Sequence, residues 1–360
     1  MHRIAFVLAL CVPVLVAGCS ASAQQRVALD PFSSGVLPVA ADAEVRGDFA
    51  TSDAAERFVA RMAREHDFAP EVLAGLLSEA RREQWIIDLM DRQAPRAKRA
   101  PNGAWTRYRG KFVTADNIAG GVRFWRAHAA TLERAGARYG VPPEYIVAIL
   151  GVETRYGGYV GTTRTLDALA TLAFAYPRRA DYFTGELEAF LLMARESGVD
   201  PRKPQGSYAG AMGLGQFMPT SFQRYAVDFD DDGVRDLWDP TDAIGSVAHY
   251  FKAHGWRSGE PVAVRVSVRS GQGVGALKTG FSSRHGRSTL SAHGVDLDGV
   301  PGRGGLSLLA LDARGGTEYW VGFENFGVIT RYNRSTYYAM AVHQLAAAVR
   351  ARHGAALAGR

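Results

Sequence analysis

The order of apolar and polar residues predicts a mostly helical chain with one short β segment towards its C-terminal end. Apolar residues recur at helical spacing through most of the first 260 positions. The predicted helices begin at Ser52 and Pro70 and then cover 116–139, 145–152, 165–175, 180–197, 219–226, 240–254 and 335–352. Proline at the start of a helix and glycine just after its end, as at Pro70 and Gly140, support these limits.

The β segment is marked by a change of period. Residues 262–268, VAVRVSV, alternate between apolar and polar positions, as a half-buried strand does. Residues 306–312 and 317–323 read as two further strands, and Arg314-Gly315-Gly316 between them predicts a hairpin turn. The predicted fold class is therefore mainly α (α+β), with a small antiparallel β domain at 261–323 inserted in a helical protein.

Composition and charge are those of an ordinary globular protein. Of the 360 residues 47% are apolar and 22% are charged, which excludes a disordered chain or a coiled coil as the main reading. The net charge of +6 is compatible with an anionic partner. The only cysteines are Cys11 and Cys19, which excludes a disulfide framework and a cysteine zinc site from the rest of the chain.

The N-terminus predicts export. Residues 1–18 contain a short basic start and an apolar run too short to span a bilayer comfortably, as in a secretory signal. Val16-Ala17-Gly18-Cys19 resembles a bacterial lipobox, so Cys19 is the predicted lipidation site. The alternative is plain cleavage at Ala21-Ser22-Ala23 without a lipid. Residues 19–45 lack periodicity and predict a flexible tether, and Ser20 after the cysteine favours the outer membrane of a Gram-negative cell.

Glu153 is the candidate acid. It stands at the end of a strongly apolar helix, next to Ile149, Leu150 and Val152. Such surroundings disfavour the charged carboxylate and raise its pKa, as a general acid near neutral pH requires. The alternative is a buried structural ion pair with Arg155.

The acidic segment 228–242 has the beginning of an EF-hand loop, with Gly233 at the sharp turn. The candidate ligands are the side chains of Asp228, Asp230 and Asp232, the backbone carbonyl of Val234 and, at position 12, Asp239. Hard oxygen ligands favour Ca²⁺, here in a structural role. The alternative is an acidic turn that binds nothing.

Five motifs occur in order along the chain: GVETRYG, YPRRADYF, SYAGAMGLGQFMPTSF, LWDPTDAIGSVAHYFKAHGW and ENFGVITRYN. Together they resemble the lytic murein transglycosylases of the membrane-bound B type, over about residues 50 to 350. The resemblance implies a lysozyme-like fold. An α domain and catalytic core with the EF-hand-like loop would occupy 46–260, and 324–352 would complete the core.

The family chemistry implies that Glu153 alone serves as acid and then as base. It would protonate the oxygen of the β-1,4 bond between N-acetylmuramic acid and N-acetylglucosamine. It would then deprotonate the C6 hydroxyl of the muramic residue, which attacks its own anomeric carbon and gives a 1,6-anhydro end without water. Two alternatives remain open: a muramidase that uses water, and a non-catalytic peptidoglycan-binding lipoprotein.

The resemblance also implies further site residues. Ser207 would orient the carboxylate, unless it is only a turn serine, and Gln216 would contact the saccharide. Arg178 and Arg179 would bind lactyl or peptide carboxylates, and the family loop favours Asp242 over Asp239 as the last calcium ligand. The other groove residues implied are Tyr108, Tyr250, Tyr332, Asn333 and Tyr338.

These features together predict a periplasmic enzyme that acts on peptidoglycan glycan strands and is anchored to the outer membrane by its lipid. We expect no organic cofactor. We expect no nucleic-acid partner either, because the chain is exported, and the sequence identifies no protein partner.

Overall fold

The structure, a computed structural model, describes residues 43–93, 102–269, 273–302 and 304–358. The predicted signal peptide 1–18, the lipidation site Cys19 and most of the predicted tether 19–45 lie outside the described residues. Val45 is only 1% exposed and packs in the core, so the folded body already includes the last residue assigned to the tether. None of the helices in the described ranges is both long enough and apolar enough to cross a membrane.

The described part of the chain is mainly helical. Its α-helices are α1 (Asp53–His66), α2 (Pro70–Ser78), α3 (Gln84–Arg92), α4 (Ala104–Arg109), α5 (Ala115–Ala127), α6 (Ala129–Tyr139), α7 (Pro143–Thr154), α8 (Thr165–Ala175), α9 (Ala180–Glu196), α10 (Pro219–Tyr225), α11 (Pro240–Ala253), α12 (Arg287–Ala292), α13 (Glu324–Tyr332) and α14 (Thr336–Ala358). Short 3-10 helices cover Gly47–Phe49, Pro177–Arg179 and Val274–Ala276.

Most predicted helix limits agree with the structure. Ser52 caps α1, since its side chain accepts a hydrogen bond from the amide of Ala55. The single helix predicted over 116–139 is wrong, because His128 (φ −119°, ψ 29°) leaves the helical conformation and separates α5 from α6. The break lets α5 pack on α7 and α14 while α6 packs on α11, so tertiary packing overrides local helix propensity.

Helix α7 forms the centre of the helical core. It is apolar on all sides, and every residue from Ile146 to Leu150 is fully buried, as expected of a helix surrounded by others. Helices α5, α6, α11 and α14 pack around it. The helix that ends next to Glu153 is thus held by packing on every side.

The β domain is a separate layer with its own core. Strands β3 (Ala263–Val266), β4 (Ser307–Ala313) and β5 (Gly316–Gly322) form an antiparallel sheet in the order β3-β5-β4. The predicted hairpin is confirmed as β4–β5. A second apolar cluster, centred on Leu290, Leu308 and Val321, fills this domain. A further pair of two-residue strands, β1 (Thr163–Arg164) and β2 (Gln205–Gly206), lies in the helical body and was not predicted.

Asp312 ties the β domain to the helical body. Its carboxylate accepts hydrogen bonds from the amides of Asn102, Gly103 and Ala104, at 2.9, 3.0 and 3.1 Å. These amides lie at the start of α4, where backbone donors have no partner within the helix and a carboxylate is favoured. The predicted fold class, mainly α with a small antiparallel sheet, is confirmed.

Candidate active site

Glu153 lies in the last turn of α7 and remains partly accessible to solvent. Directly after the helix, Arg155 and Tyr156 adopt left-handed backbone angles (φ 53° and 64°) and turn the chain sharply. Burial of the Glu153 carboxyl raises its pKa to about 7, because an apolar environment disfavours the ionised form. The predicted environment of Glu153 is therefore present in the structure.

Tyr338 is the hydrogen-bond partner of this carboxyl. Its hydroxyl, presented by α14, donates to Oε1 of Glu153 at 2.5 Å. The bond favours the ionised form and so lowers the pKa, in part offsetting the effect of burial. Arg155 is exposed, and the ion pairs among the described residues do not include Glu153. The alternative of a structural ion pair with Arg155 is wrong, because the left-handed turn carries Arg155 to the surface.

Glu153 has no acidic neighbour that perturbs it in the part of the chain that the structure describes. Burial and the bond from Tyr338 are the causes of its pKa shift. Glycosidases with two carboxylates hold them about 5 to 10 Å apart, and a like charge within about 4–6 Å raises the pKa of its neighbour. The absence of an acidic group among these causes agrees with the single acid that the family resemblance implies.

Tyr108 and Tyr332 line the site beside the carboxyl. Burial and then the charge of Glu153 raise the pKa of Tyr108 to about 12, and the same two causes, in the same order, raise that of Tyr332. The Tyr332 hydroxyl donates to the carbonyl of Gly215 at 2.6 Å. Both side chains are half-buried, so each keeps some surface exposed to solvent.

Tyr250 and Tyr338, two of the groove residues that the resemblance implies, are buried side chains. They are only 7% and 2% exposed, so their rings are covered by the surrounding protein, and their contact with a glycan stays a prediction. Tyr250 instead packs against Tyr332, with ring centroids 4.8 Å apart, and donates to the carbonyl of Arg331 at 2.8 Å. Asn333 follows α13 and is exposed.

Gln216 holds the loop before α10. Its backbone is left-handed (φ 52°), and its Nε2 donates to the carbonyls of Val160 at 3.1 Å and Gly213 at 3.0 Å. Thr154 fastens the same loop to α7 by donating to the carbonyl of Leu214 at 2.9 Å. Gln216 therefore joins two loops near Glu153, a structural bond that the sequence did not predict.

Ser207 has the local role that the sequence left open. Its Oγ accepts hydrogen bonds from the amides of Ala209 at 3.3 Å and Ala211 at 3.0 Å. A bond to the Glu153 carboxylate is not among the hydrogen bonds of the described residues. The hydroxyl oxygen accepts in the turn but can still donate its own proton, so the orienting bond stays a prediction.

Arg178 and Arg179 are exposed on the short 3-10 helix before α9. Arg178 pairs with Asp91 at 3.2 Å. Arg179 lies over the ring of Tyr182, 4.4 Å from its centroid. Tyr182 is an exposed aromatic that the sequence reasoning missed, although it stands in the same YPRRADYF motif.

Three side chains of the acidic loop converge. Carboxylate oxygens of Asp228, Asp230 and Asp242 all lie within 4.8 Å of one another. Asp242 is 1% exposed and accepts hydrogen bonds from the amides of Phe229 at 2.6 Å and Asp236 at 2.7 Å. Burial raises its pKa, and the charges of Asp230 and Asp228 raise it further. Such a set of hard, mutually repelling oxygens fits a divalent cation.

Asp239 and Asp232 lie outside this group of three and accept backbone hydrogen bonds of their own. Asp239 caps α11 by accepting from the amide of Thr241 at 2.6 Å, and Asp232 accepts from the amide of Val234 at 2.8 Å. Gly233, with φ 88°, makes the sharp turn expected at position 6. The geometry thus brings Asp242, rather than Asp239, to Asp228 and Asp230.

Comparison with known proteins agrees with this geometry. The family model described as the transglycosylase SLT domain matches residues 50–347, which include Glu153, Tyr338 and the acidic loop. The chain belongs to this family. Membership in the transglycosylase SLT family confirms the resemblance that the five motifs carry.

The chain is similar to a curated relative and to proteins with known structures. The membrane-bound lytic murein transglycosylase B of Escherichia coli (strain K12) is 53% identical over 311 residues, 85% of each chain. The Escherichia coli lytic transglycosylase SLT35 in complex with bulgecin A has a TM-score of 0.84 at 51% identity, covering 88% of this chain and 99% of that chain. Its complex with calcium has a TM-score of 0.83 at 50% identity, with the same coverage.

Proposed function

We propose that this protein is a lytic transglycosylase of peptidoglycan in which Glu153 is the one acid and base. The observation that carries the proposal is the Glu153 carboxyl, whose pKa burial raises to about 7 and which has Tyr338 as its partner. The name of the Escherichia coli relative, a lytic murein transglycosylase, supports the same activity.

A carboxyl with a pKa near 7 is suited to both proton transfers. Near neutral pH both the protonated and the ionised form of Glu153 are therefore available. The proton of the protonated form passes to the oxygen between N-acetylmuramic acid and N-acetylglucosamine as that bond breaks. The ionised Glu153 then takes the proton of the muramic C6 hydroxyl, while the C6 oxygen forms a bond to the anomeric carbon of the same residue. The carboxyl regains its proton, and the product is a 1,6-anhydro end.

Tyr338 has a defined part in this cycle. Its hydroxyl donates to Glu153, and a hydrogen bond to an ionised acceptor is stronger than one to a neutral acceptor. The bond therefore stabilises the carboxylate in the interval between the two proton transfers. Because the bond engages Oε1, the other carboxyl oxygen stays free to exchange a proton with the substrate.

The groove residues are assigned by their exposure. We propose that Tyr108, Tyr332 and Asn333 contact the sugars, and that Gln216 and Ser207 shape the loop on which the strand lies. The exposed guanidinium groups of Arg178 and Arg179 suit the lactyl or peptide carboxylates and remain proposed contacts.

The test is digestion of purified murein followed by mass spectrometry of the products. Wild type gives 1,6-anhydro ends, each lighter by one water than a reducing end, and Glu153→Gln gives none. Glu133→Gln, which neutralises an exposed glutamate on α6, serves as the matched control and retains activity.

Reducing ends among the products would identify the alternative hydrolytic muramidase. Binding without cleavage by wild type would identify the non-catalytic alternative, and cleavage by Glu153→Gln would refute its assigned role.

We also propose that the acidic loop binds a structural Ca²⁺. The ligands would be the carboxylates of Asp228, Asp230, Asp232 and Asp242 and the carbonyl of Val234. The convergence of three of these carboxylates and the calcium complex of the Escherichia coli protein support this. The loop joins α10 to α11, so the ion would brace the core and take no part in the reaction.

The lipid anchor is a further proposal, and it rests on sequence. Cys19 follows a lipobox-like segment, and the Escherichia coli relative is named membrane-bound. We propose that lipidated Cys19 holds the enzyme on the periplasmic side of the outer membrane. Labelling with radioactive palmitate and cell fractionation test this: Cys19→Ala should lose both the label and membrane association.

A further inference from the structure

A strongly basic cleft lies between the catalytic core and the β domain. It has a volume of about 610 Å³. Its charged and titratable lining residues are Arg257, Arg284, Arg331, Arg334, His254 and Glu324. The residues come from three parts of the fold: the chain at and after the end of α11, the β domain, and the segment from α13 to α14. The active-site chemistry above uses none of them.

The cleft has an excess of positive charge. Arg284 pairs with Glu324 at 3.0 Å. The ion pairs among the described residues include none for Arg257, Arg331 or Arg334, and all three are exposed. Guanidinium groups gathered in one concave surface repel one another and concentrate positive potential. An anionic ligand would relieve that repulsion.

The cleft adjoins the proposed glycan groove. The ring of His254 stacks on that of Tyr250, with centroids 4.0 Å apart, and Tyr250 packs in turn on Tyr332 at 4.8 Å. Tyr332 is close enough to Glu153 for that charge to raise its pKa. A wall of aromatic rings therefore separates the cleft from the acid. Arg331 directly precedes Tyr332 in the chain, so the groove and the cleft share one segment.

We propose that this cleft binds the carboxylates of a peptide stem carried by the glycan strand. The proposal rests on the proposed function, because a stem reaches the cleft only when its strand lies along the groove at Glu153. Peptide stems branch from muramic acid residues and carry free carboxylates, and guanidinium groups bind carboxylates with two parallel hydrogen bonds. The cleft lies on different elements from Arg178 and Arg179, so it would hold a stem independently of that pair.

The experiment measures binding without turnover, in the Glu153→Gln protein. Its two ligands are soluble glycan strands that carry peptide stems and the same strands stripped of peptides by an amidase. We expect the added substitutions Arg257→Gln and Arg334→Gln to raise the Kd for the peptide-bearing strands about fivefold to tenfold, since an exposed ion pair contributes a few-fold. The Kd for the stripped strands should stay the same.

The control pair is Arg126→Gln with Arg352→Gln, which removes the same charge from exposed positions on α5 and α14 outside the cleft. This pair should leave both Kd values unchanged. An equal loss on the two ligands, the same loss in the control pair, or no loss at all would each overturn the proposal. The proposed function is judged separately, because it depends on anhydro product from the wild-type enzyme.

Discussion

At the scale of single residues, the feature that makes Glu153 useful also destabilises the fold. Its pKa is raised from 4.5 to about 7, so the native state holds the proton over a pH range in which the unfolded chain has released it. Stability then falls as pH rises from 4.5 through 7. Above pH 7 the buried, ionised carboxylate therefore lowers the free energy of unfolding, and an uncharged amide at the same position would not.

Glu153→Gln should stabilise the protein at alkaline pH. The shift of the carboxyl pKa corresponds to about 3 kcal/mol, so we expect the variant to exceed wild type by roughly that free energy of unfolding at pH 8. The advantage should shrink towards pH 4, where the group is protonated in both states. Denaturant titrations at the two pH values measure it, with Glu133→Gln as the control. An advantage that does not change with pH would contradict the raised pKa.

Tyr338→Phe should change the pH dependence of catalysis. In wild type the hydrogen bond from Tyr338 favours the ionised form of Glu153. Removing this bond therefore raises the pKa of Glu153 further and moves the alkaline limb of the kcat/KM profile to higher pH. We expect kcat to fall about tenfold, since a hydrogen bond to a charged group contributes roughly 1.5 kcal/mol or more. Tyr319→Phe in the β domain, a matched loss of one hydroxyl, should leave the profile in place. A lower kcat with an unmoved alkaline limb would argue against the pKa effect.

The sequence could predict the surroundings of Glu153 but not its partner. The apolar run before it lies on one helix, so local pattern is enough to predict burial and a raised pKa. Tyr338 lies 185 positions away and reaches the carboxyl only because α14 packs on α7. The covered ring of Tyr250 depends on tertiary packing in the same way, and periodicity carries no information about it.

At the scale of elements, the end of α7 is shaped by a close approach. A Cβ on Gly151 would lie 2.5 Å from the hydroxyl of Tyr156. That hydroxyl donates to the carbonyl of Asn117 at 2.9 Å and fastens the left-handed turn after Glu153 to α5. Glycine is therefore required inside this helix, although glycine normally lowers helix stability.

Gly151→Ala should destabilise the protein and slow catalysis. The added methyl group must displace Tyr156, an overpacking that costs about 1–3 kcal/mol, and the displaced turn should move Glu153. Gly185→Ala is the matched control, because it lies inside α9 with open space around it and should stabilise by up to about 1 kcal/mol. Thermal unfolding and murein digestion report both effects. Equal behaviour of the two variants would refute the steric argument.

Element limits were predicted well wherever a cap is local. Pro70 at the start of α2 and Gly140 at the end of α6 fix helix ends through their own backbone preferences. The break at His128 has no such signal, because it serves packing on other helices. The division into 46–260, 261–323 and 324–352 stays a prediction, which the separate apolar cluster of the β domain supports.

At the scale of the whole molecule, the acidic loop is the connection that an ion would strengthen. It joins α10, which packs on α9, to α11, which packs on α6 and α7. Asp242, at the start of α11, is buried beside two other carboxylates. Their mutual repulsion weakens this junction unless a cation compensates it, so calcium should act on the stability of the entire fold.

Calcium should raise the melting temperature through Asp242. At a concentration one hundred times its Kd, a ligand of the native state contributes about 2.7 kcal/mol, which for a chain of this size is a shift of about 4 °C. Asp242→Asn should lose this calcium-dependent shift. Asp239→Asn removes the same charge, and asparagine still caps α11, so that variant should keep the calcium-dependent shift.

Thermal unfolding measured in calcium and in chelator tests this prediction, and a shift retained by Asp242→Asn would place the ion elsewhere. Anhydro product should persist in chelator below the melting temperature, because Glu153 and Tyr338 lie outside the loop.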